Sequence, residues 1–447
     1  MPTDCNSAAI TFTPLGRRQL LAAFDGGRIT SDAGALLLRE VAGRSGLFER
    51  MAACVPDPRE PAMIEHDQRT MLAQRVLGIA CGWEDLNDHH GLRVDSLMQV
   101  ASEREADEKR PLASPATLCR LENRVDRGAC VELSKLLVEL FIESFDSPPA
   151  ELVLDFDATD DPIHGGQEGR FFHGYYDSYC YLPLYVFCGE KLLVSYLRPS
   201  NIDASKHSRA ILKLLVTRLR QVWPGVKIIV RGDSGFCRWK LMRWCERHGV
   251  DYIIGLARNK VLERMGEPFM LLAKQQYEQS RLKARIFTSF DYAAATWDRP
   301  RRVLHKAEHN SQGDNPRFLV TSLSGEPQAL YDEIYCARGE MENRIKEQQL
   351  GLFAGRTSCH KFVANQFRLL LSSFAYTLIE TLRRTALAGT ELARAQAATI
   401  RTKLLKIGAV VLSSVRRIVL RLSSAYPLKD LFEHAARQLV VRRVRLE

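Results

Sequence analysis

A chain of 447 residues exceeds one ordinary domain and implies two to four structural units around at least one sizeable core. Its 46% apolar and 26% charged residues exclude a disordered or fibrous protein. The net charge of +10 is concentrated: residues 381–447 hold 14 Lys and Arg against four acids, whereas residues 1–380 carry 49 of each sign. A basic tract of that kind suits a polyanionic partner, nucleic acid before membrane. The most apolar run, Leu369 to Ile379, falls well short of the roughly 18 residues a bilayer span needs, and residues 1–18 lack the charged-then-apolar pattern of an export signal. Eleven cysteines without CxxC spacing read as free thiols in a reducing cytoplasm. Cys180 with Cys188 and Cys237 with Cys245 read as buried thiols rather than zinc ligands, which usually come in tight pairs.

Residues 1–149 lack strand-like alternation and carry helix punctuation, which predicts an N-terminal helical domain. Ser31-Asp32 is placed to cap a helix from Ala33 to Ala42, and Ser114-Pro115 supplies an N-cap and an N1 proline for Ala116 to Val125. Apolar residues at helical spacing continue from Val131 to Phe141 until Pro148-Pro149 marks a boundary. From Glu151 the period becomes two: Leu152, Leu154 and Phe156 alternate with Val153, Asp155 and Asp157. Strands at Tyr181 to Phe187 and Lys191 to Arg198 follow, then a helix from Ala204 to Val222. A strand at Val226 to Val230, a helix from Phe236 to His248 and a strand at Asp251 to Leu256 complete the series.

That order predicts an α/β fold with a ribonuclease-H-like core, in which the first and fourth strands lie side by side and their terminal acids meet. Residues 150–257 would form its first part and 331–384 its second, interrupted by a β-rich insertion at 258–330 with strands at Ala284 to Thr296, Arg301 to Glu308 and Arg317 to Ser322. A helix carrying Tyr335 follows, and another spans Lys361 to Arg383. Residues 385–447 would form a basic C-terminal DNA-binding region.

On an ideal helix Tyr335, Arg338, Glu342, Lys346 and Gln349 fall within about an 80° sector. Asp157, Asp233 and Glu342 would then converge, and three carboxylates without a histidine cluster suit two Mg²⁺ or Mn²⁺ ions of the kind that drive phosphodiester displacement. Arg338 and Lys346 would grip phosphate oxygens. Asp155, on the same strand face as Asp157, competes for the place of first ligand, and Asp233 taken alone is as well placed for a turn or cap. Asp160, Asp161, His164 and His173 read as turn and hairpin residues.

The segments from Leu154 to Pro162, His164 to Tyr176, Arg231 to Phe236, Tyr335 to Glu347 and Asn365 to Leu371 resemble the DDE transposases of bacterial insertion sequences, specifically the insertion sequence 1380 group. The resemblance implies Asp157, Asp233 and Glu342 as catalytic, metal-binding acids. It also implies double-stranded DNA partners (terminal inverted repeats and target), a homodimer holding the two ends, and a cytoplasmic, nucleoid-associated protein. The related signature Tyr-x2-Arg-x3-Glu-x6-Lys falls on Tyr335, Arg338 and Glu342 but ends at Gln349, with Lys346 in the same stripe. Such enzymes carry a tryptophan in the insertion that handles a flipped base. Trp297 beside Arg301 and Arg302 is the counterpart, and packing of the insertion's own core is the alternative reading. Arg120 and Arg124 offer either a helix-turn-helix face or a solvated one. Arg417 and Arg421 lie on the basic face of a strand whose other face is apolar, a geometry suited to phosphate contact.

Overall fold

The computed structural model describes residues 9–444, with side chains to residue 440. Residues 1–8, the head of the segment read for an export signal, and Arg445 of the basic tract lie outside the described residues. The chain divides into two compact units, residues 1–125 with 351–353 and 374–447, and residues 126–350 with 354–373.

The first unit opens with a hairpin that the sequence reading missed, β1 (Ile10–Leu15) against β2 (Arg18–Ala22), and a short β3 (Ile29–Thr30). Every residue of the hairpin is exposed, so no buried face imposes the alternation by which a strand is recognised. The first helix spans Ala35–Ser45 without a side-chain cap. Asp32 instead pairs with Lys406 at 2.7 Å and accepts the Trp83 indole N–H at 3.2 Å. Gly34 passes so close to Leu404 and Leu405 that a Cβ there would lie 2.0 Å from a carbonyl oxygen, which fixes this corner as glycine. The helix Pro115–Arg124 starts as expected, with Ser114 accepting from the Thr117 amide and proline at its first turn.

The second unit begins with the helix Arg127–Glu143, capped by Asp126, and is built on a nine-stranded sheet. In chain order its strands are β4 (Glu151–Ala158), β8 (Leu184–Cys188), β9 (Lys191–Tyr196), β10 (Lys227–Gly232), β11 (Asp251–Leu256), β12 (Ala284–Tyr292), β13 (Arg301–Asn310), β14 (Gly313–Asp314) and β15 (Arg317–Thr321). Between β4 and β8 lies a separate three-stranded sheet of β5 (Asp161–Pro162), β6 (Phe171–His173) and β7 (Ser178–Tyr181). The single strand expected from Tyr181 to Phe187 is therefore two, broken where Pro183 offers no N–H for a ladder. Across the large sheet the order is β12-β13-β15-β11-β10-β4-β8-β9, with β14 on β13; β10 pairs in parallel with both β4 and β11, and the other pairs are antiparallel. Leu154, Val230 and Ile254 of the three central strands are fully buried in one apolar core.

Two boundaries differ from expectation for visible reasons. The helix expected from Ala204 starts at Ser208, because the buried Arg198 guanidinium takes the Ala204 and Lys206 carbonyls, at 2.9 and 2.7 Å. The segment read as β-rich from residue 258 opens instead with a 21-residue helix, Lys260–Ser280, and its strands extend the large sheet from β11. Pro268 and Gly266 inside that helix hide it from a propensity reading; Gly266 lies where a Cβ would meet the His305 ring at 2.5 Å.

The chain then runs through a helical stretch of changing pitch, π-helical at Leu330–Tyr335, 3₁₀ at Cys336–Arg338, α-helical at Gly339–Lys346 and π-helical again at Glu347–Gly351. The long helix Phe362–Ala386 follows. Returning to the first unit, β16 (Ala409–Ser413) pairs with β3 and with β17 (Ile418–Leu422), and the helix Lys429–Val444 closes the described chain. Among the described residues no helix is long and apolar enough to cross a membrane, and ten cysteines are unbridged.

Candidate active site

The parallel β4–β10 pair sets the site. Val230 lies opposite Leu154, Arg231 opposite Asp155 and Gly232 opposite Phe156, so Asp157 and Asp233 occupy the next position on each strand path. Asp157 also faces Tyr185 across the β4–β8 ladder, and its Oδ1 accepts from the Ala158 amide at 2.9 Å. Asp233 caps the turn after β10, accepting from the Gly235 amide at 2.9 Å, so the capping role read from sequence is real and coexists with its position beside Asp157. Burial pushes the Asp157 carboxyl up to about 7; Arg338 opposes this, and Asp233 and Glu342 add to it. The Asp157 carboxyl thus feels the charge of both other predicted acids.

Arg338 joins two of them. Its guanidinium donates to Asp157 Oδ2 at 3.1 Å and to Glu342 Oε1, one helical turn on. Glu342 is exposed, whereas Asp157 and Arg338 are largely buried. Among the described residues no group of three or more His, Cys, Asp or Glu forms a ready cage for a metal ion. The donor type nonetheless suits a hard divalent cation, since Asp157 and Asp233 are carboxylates at neighbouring strand ends; the Arg338 guanidinium, paired with Asp157 and Glu342, holds the balancing positive charge and would have to swing aside for an ion.

Asp155, the rival for first ligand, is committed elsewhere. It is buried and receives both Nε and Nη2 of Arg231, while Arg231 Nη1 donates to the Ile334 carbonyl. Arg231 therefore ties β4 and β10 to the residue before Tyr335. Sequence reading missed it; the only signal was a cation directly before Gly232-Asp233.

Tyr335 is half-buried, with its hydroxyl seated against Gly255 of β11. A Cβ at Gly255 would stand 2.9 Å from that hydroxyl and 2.9 Å from the Ser234 amide nitrogen, beside Asp233. Gly255→Ala is expected to lower stability by about 1–3 kcal/mol through overpacking against the Asp233 turn and the Tyr335 hydroxyl. Thermal melts of the two proteins check it.

The changing pitch breaks the single stripe expected from an ideal helix. Lys346 is exposed, but Gln349 turns inward and donates to the Asp160 carbonyl at 3.0 Å and to Asp161 Oδ1 at 2.9 Å. Asp161 is fully buried, and burial pushes its carboxyl up to about 7. A glutamine suits that partner: it donates a hydrogen bond without burying a second charge.

Of the other predicted residues in this unit, Trp297, Arg301 and Arg302 are engaged within the segment at 258–330 and its neighbours. Trp297 is half-buried, 5.5 Å from the Tyr292 ring, with Arg301 stacked 5.5 Å from its centre. Arg301 is itself buried and held by Glu246 and Asp298, and Arg302 donates to the Leu323 and Gly325 carbonyls. In the first unit Arg120 is exposed, whereas Arg124 donates to Gln68 at 2.6 Å and pairs with Asp57. Arg417 is exposed in the β16–β17 turn and Arg421 is exposed on β17, but the strand's apolar side is not buried: Ile418 and Leu422 are 40% and 39% exposed. Part of the C-terminal charge is spent internally: Arg383 is buried, Arg384 pairs with Glu380, and Arg401 donates to the Ala80 and Gly351 carbonyls.

Comparison with known proteins adds an independent finding. The model of the family described as transposase DDE domain group 1 matches residues 12–444. Among solved structures, a piggyBac transposase synaptic complex with hairpin DNA aligns over 85% of this chain and 80% of its own, at 11% identity and a TM-score of 0.43. No curated protein matches. With a family model spanning nearly its whole length, the chain belongs to the group 1 DDE-domain transposases.

Proposed function

We propose that the protein is the transposase of a bacterial insertion sequence of the 1380 group, which binds the terminal inverted repeats of its element and cuts and joins DNA strands. One observation carries the reading: parallel, in-register β4 and β10 end in adjacent Asp157 and Asp233, and Arg338 links Asp157 to Glu342. The β9-β8-β4-β10-β11 order supports a ribonuclease-H-like core from residues 150–257 and 331–384, split by the insertion at 258–330.

In this reading Asp157 and Asp233 would hold Mg²⁺ or Mn²⁺, with Glu342 completing the donor set. Such ions, when bound, would supply Lewis acidity toward the attacking and leaving oxygens. Arg338 moves from the carboxylates to a non-bridging phosphate oxygen as DNA arrives, by a charge-assisted fork. Tyr335, seated on Gly255, fixes the start of the helix that carries both Arg338 and Glu342. Lys346 offers a second, mobile cation to the strand. Two copies of the chain hold the two element ends.

Cleavage of end-containing DNA in Mg²⁺ tests the assignment. Wild type is expected to cut at the element terminus and Asp233→Asn to leave the DNA intact; a variant that cuts at the wild-type rate removes Asp233 from the chemistry. Duplex binding outside the site rests on the exposed Arg417 and Arg421. Replacing each by Ala is expected to reduce the slope of log affinity against log salt by about 0.9. Titrations over a range of KCl concentrations measure it.

A further inference from the structure

The segment between β4 and β8 carries more exposed aromatic surface than a structural hairpin requires. Phe172 is 53% exposed, Tyr179 44% and Tyr175 86%. Phe172 and Tyr179 are cross-strand partners on β6 and β7, with ring centres 5.5 Å apart, and the Arg170 guanidinium lies 3.8 Å over the Tyr179 ring. Tyr175 and Tyr176 meet edge to face at 5.0 Å in the turn that joins the two strands.

This sheet is anchored at the end of β7 that holds Cys180 and Tyr181 and is exposed toward the turn between β6 and β7. Cys180 and Tyr181 are fully buried, and the Tyr181 ring meets Phe362 at 5.1 Å. Gln167 donates to the Thr357 carbonyl at 2.9 Å, and the Phe362 amide donates to Glu168 at 3.0 Å. Its position follows from the topology: β5 begins three residues after Ala158, and β7 leads through Leu182-Pro183 into β8, whose Tyr185 faces Asp157. The sheet therefore continues the β4–β8 pair beyond the carboxylates. The Tyr176 hydroxyl feels that neighbourhood, since burial and the nearby Asp160 and Asp157 charges hold its proton on.

We propose that the exposed aromatic cluster at the turn end of this sheet, Phe172 and Tyr179 with Arg170 and Tyr175, is a stacking surface for unpaired bases of the DNA strand cut at Asp157. The proposal rests on the catalytic reading above, which brings a DNA strand to Asp157. Rings with hydroxyl and guanidinium edges match the flat faces of nucleobases, which a paired duplex hides and a separated strand presents. Gly166 and Gly174 nearby have nothing within 4 Å of where a Cβ would stand, which leaves room for a backbone to approach. Trp297 is less available for this task, being packed between Tyr292 and the clamped Arg301.

The test compares two probes on the full-length protein: a duplex with a short single-stranded tail containing 2-aminopurine, and the same duplex blunt-ended. Wild type is expected to bind the tailed probe more tightly and quench its fluorescence. Phe172→Ala with Tyr179→Ala should weaken tailed binding about tenfold or more, abolish the quenching and change blunt binding less than about twofold. Tyr179→Trp should restore quenching, and unchanged melting temperatures exclude unfolding. Equal loss on both probes, or no loss on the tailed one, overturns the proposal. So does a change from dimer to monomer in light scattering with DNA affinity intact, because the face would then belong to a second copy of the chain. Wild type that cuts end DNA but ignores the tail refutes the stacking surface alone. Wild type that prefers the tail but cuts nothing in Mg²⁺ refutes the catalytic reading alone.

Discussion

Asp157→Asn is expected to lower Mg²⁺-dependent strand cleavage by about a thousandfold and, at pH 8 without metal, to raise the melting temperature above that of wild type. The first effect follows from losing a ligand whose interactions are worth several kcal/mol in the transition state. The second follows from burial, which pushes the Asp157 carboxyl up to about 7 against the pull of Arg338. An unfolded aspartate titrates near pH 4. Between roughly pH 4 and 7 the folded protein therefore holds a proton that the unfolded chain has released, and stability falls as pH rises through that window. Above it the whole penalty of a buried, crowded anion is present. Asparagine keeps the shape and removes the charge, so the gain should be a few degrees at pH 8 and vanish near pH 4. Added Mg²⁺ should raise the wild-type melting temperature at pH 8 and leave the variant nearly unmoved. Melting curves at the two pH values, with and without Mg²⁺, give all four numbers. Loss of activity with loss of stability at pH 8 would instead mark Asp157 as a structural acid.

The second large effect is at Arg231. Arg231→Leu leaves Asp155 buried without its partner, and removing one member of a buried pair costs about 3–5 kcal/mol. Replacing both, Asp155→Leu with Arg231→Met, should recover most of that loss, since an apolar pair of similar volume is often neutral. Cleavage should not recover, because the Ile334 carbonyl still lacks the donor that ties the residue before Tyr335 to β10. Urea midpoints and cleavage rates across the cycle separate stability from positioning. Asp155→Asn provides the contrast with Asp157→Asn: if Asp155 served as the first ligand, the two would lose activity equally.

Element order carried much of this into view. Three strands, a helix and a fourth strand forced β4 beside β10, and local capping rules placed the start of the helix at Pro115. What escaped was nonlocal or lacked a buried face. The pairing of Arg231 with Asp155 and Ile334 spans 76 and 103 residues, and that of Gln349 with Asp161 spans 188. No window of sequence reports such distances. An ideal-helix projection put Gln349 in the phosphate-facing stripe, but the π-helical turn at Glu347–Gly351 rotates it toward a buried carboxyl. The helix at Lys260–Ser280 was masked by Pro268 and Gly266, and the β1–β2 hairpin by exposure of both its faces. The basic C-terminal tract reads differently once its partners are known. Arg384, Arg401 and Lys406 hold the first unit together, while Arg416, Arg417 and Arg421 on and beside the β16–β17 hairpin are among the described basic residues left exposed.

Asp157, Asp233 and Glu342 are proposed to hold one divalent-metal centre. Substituting Fe²⁺ for Mg²⁺ and adding ascorbate and peroxide generates radicals that cut the protein backbone next to the bound ion. Fragments are expected from cuts beside residues 157, 233 and 342, suppressed by excess Mg²⁺ and lost in Asp157→Asn. Cuts elsewhere, or the same cuts in the variant, would contradict it.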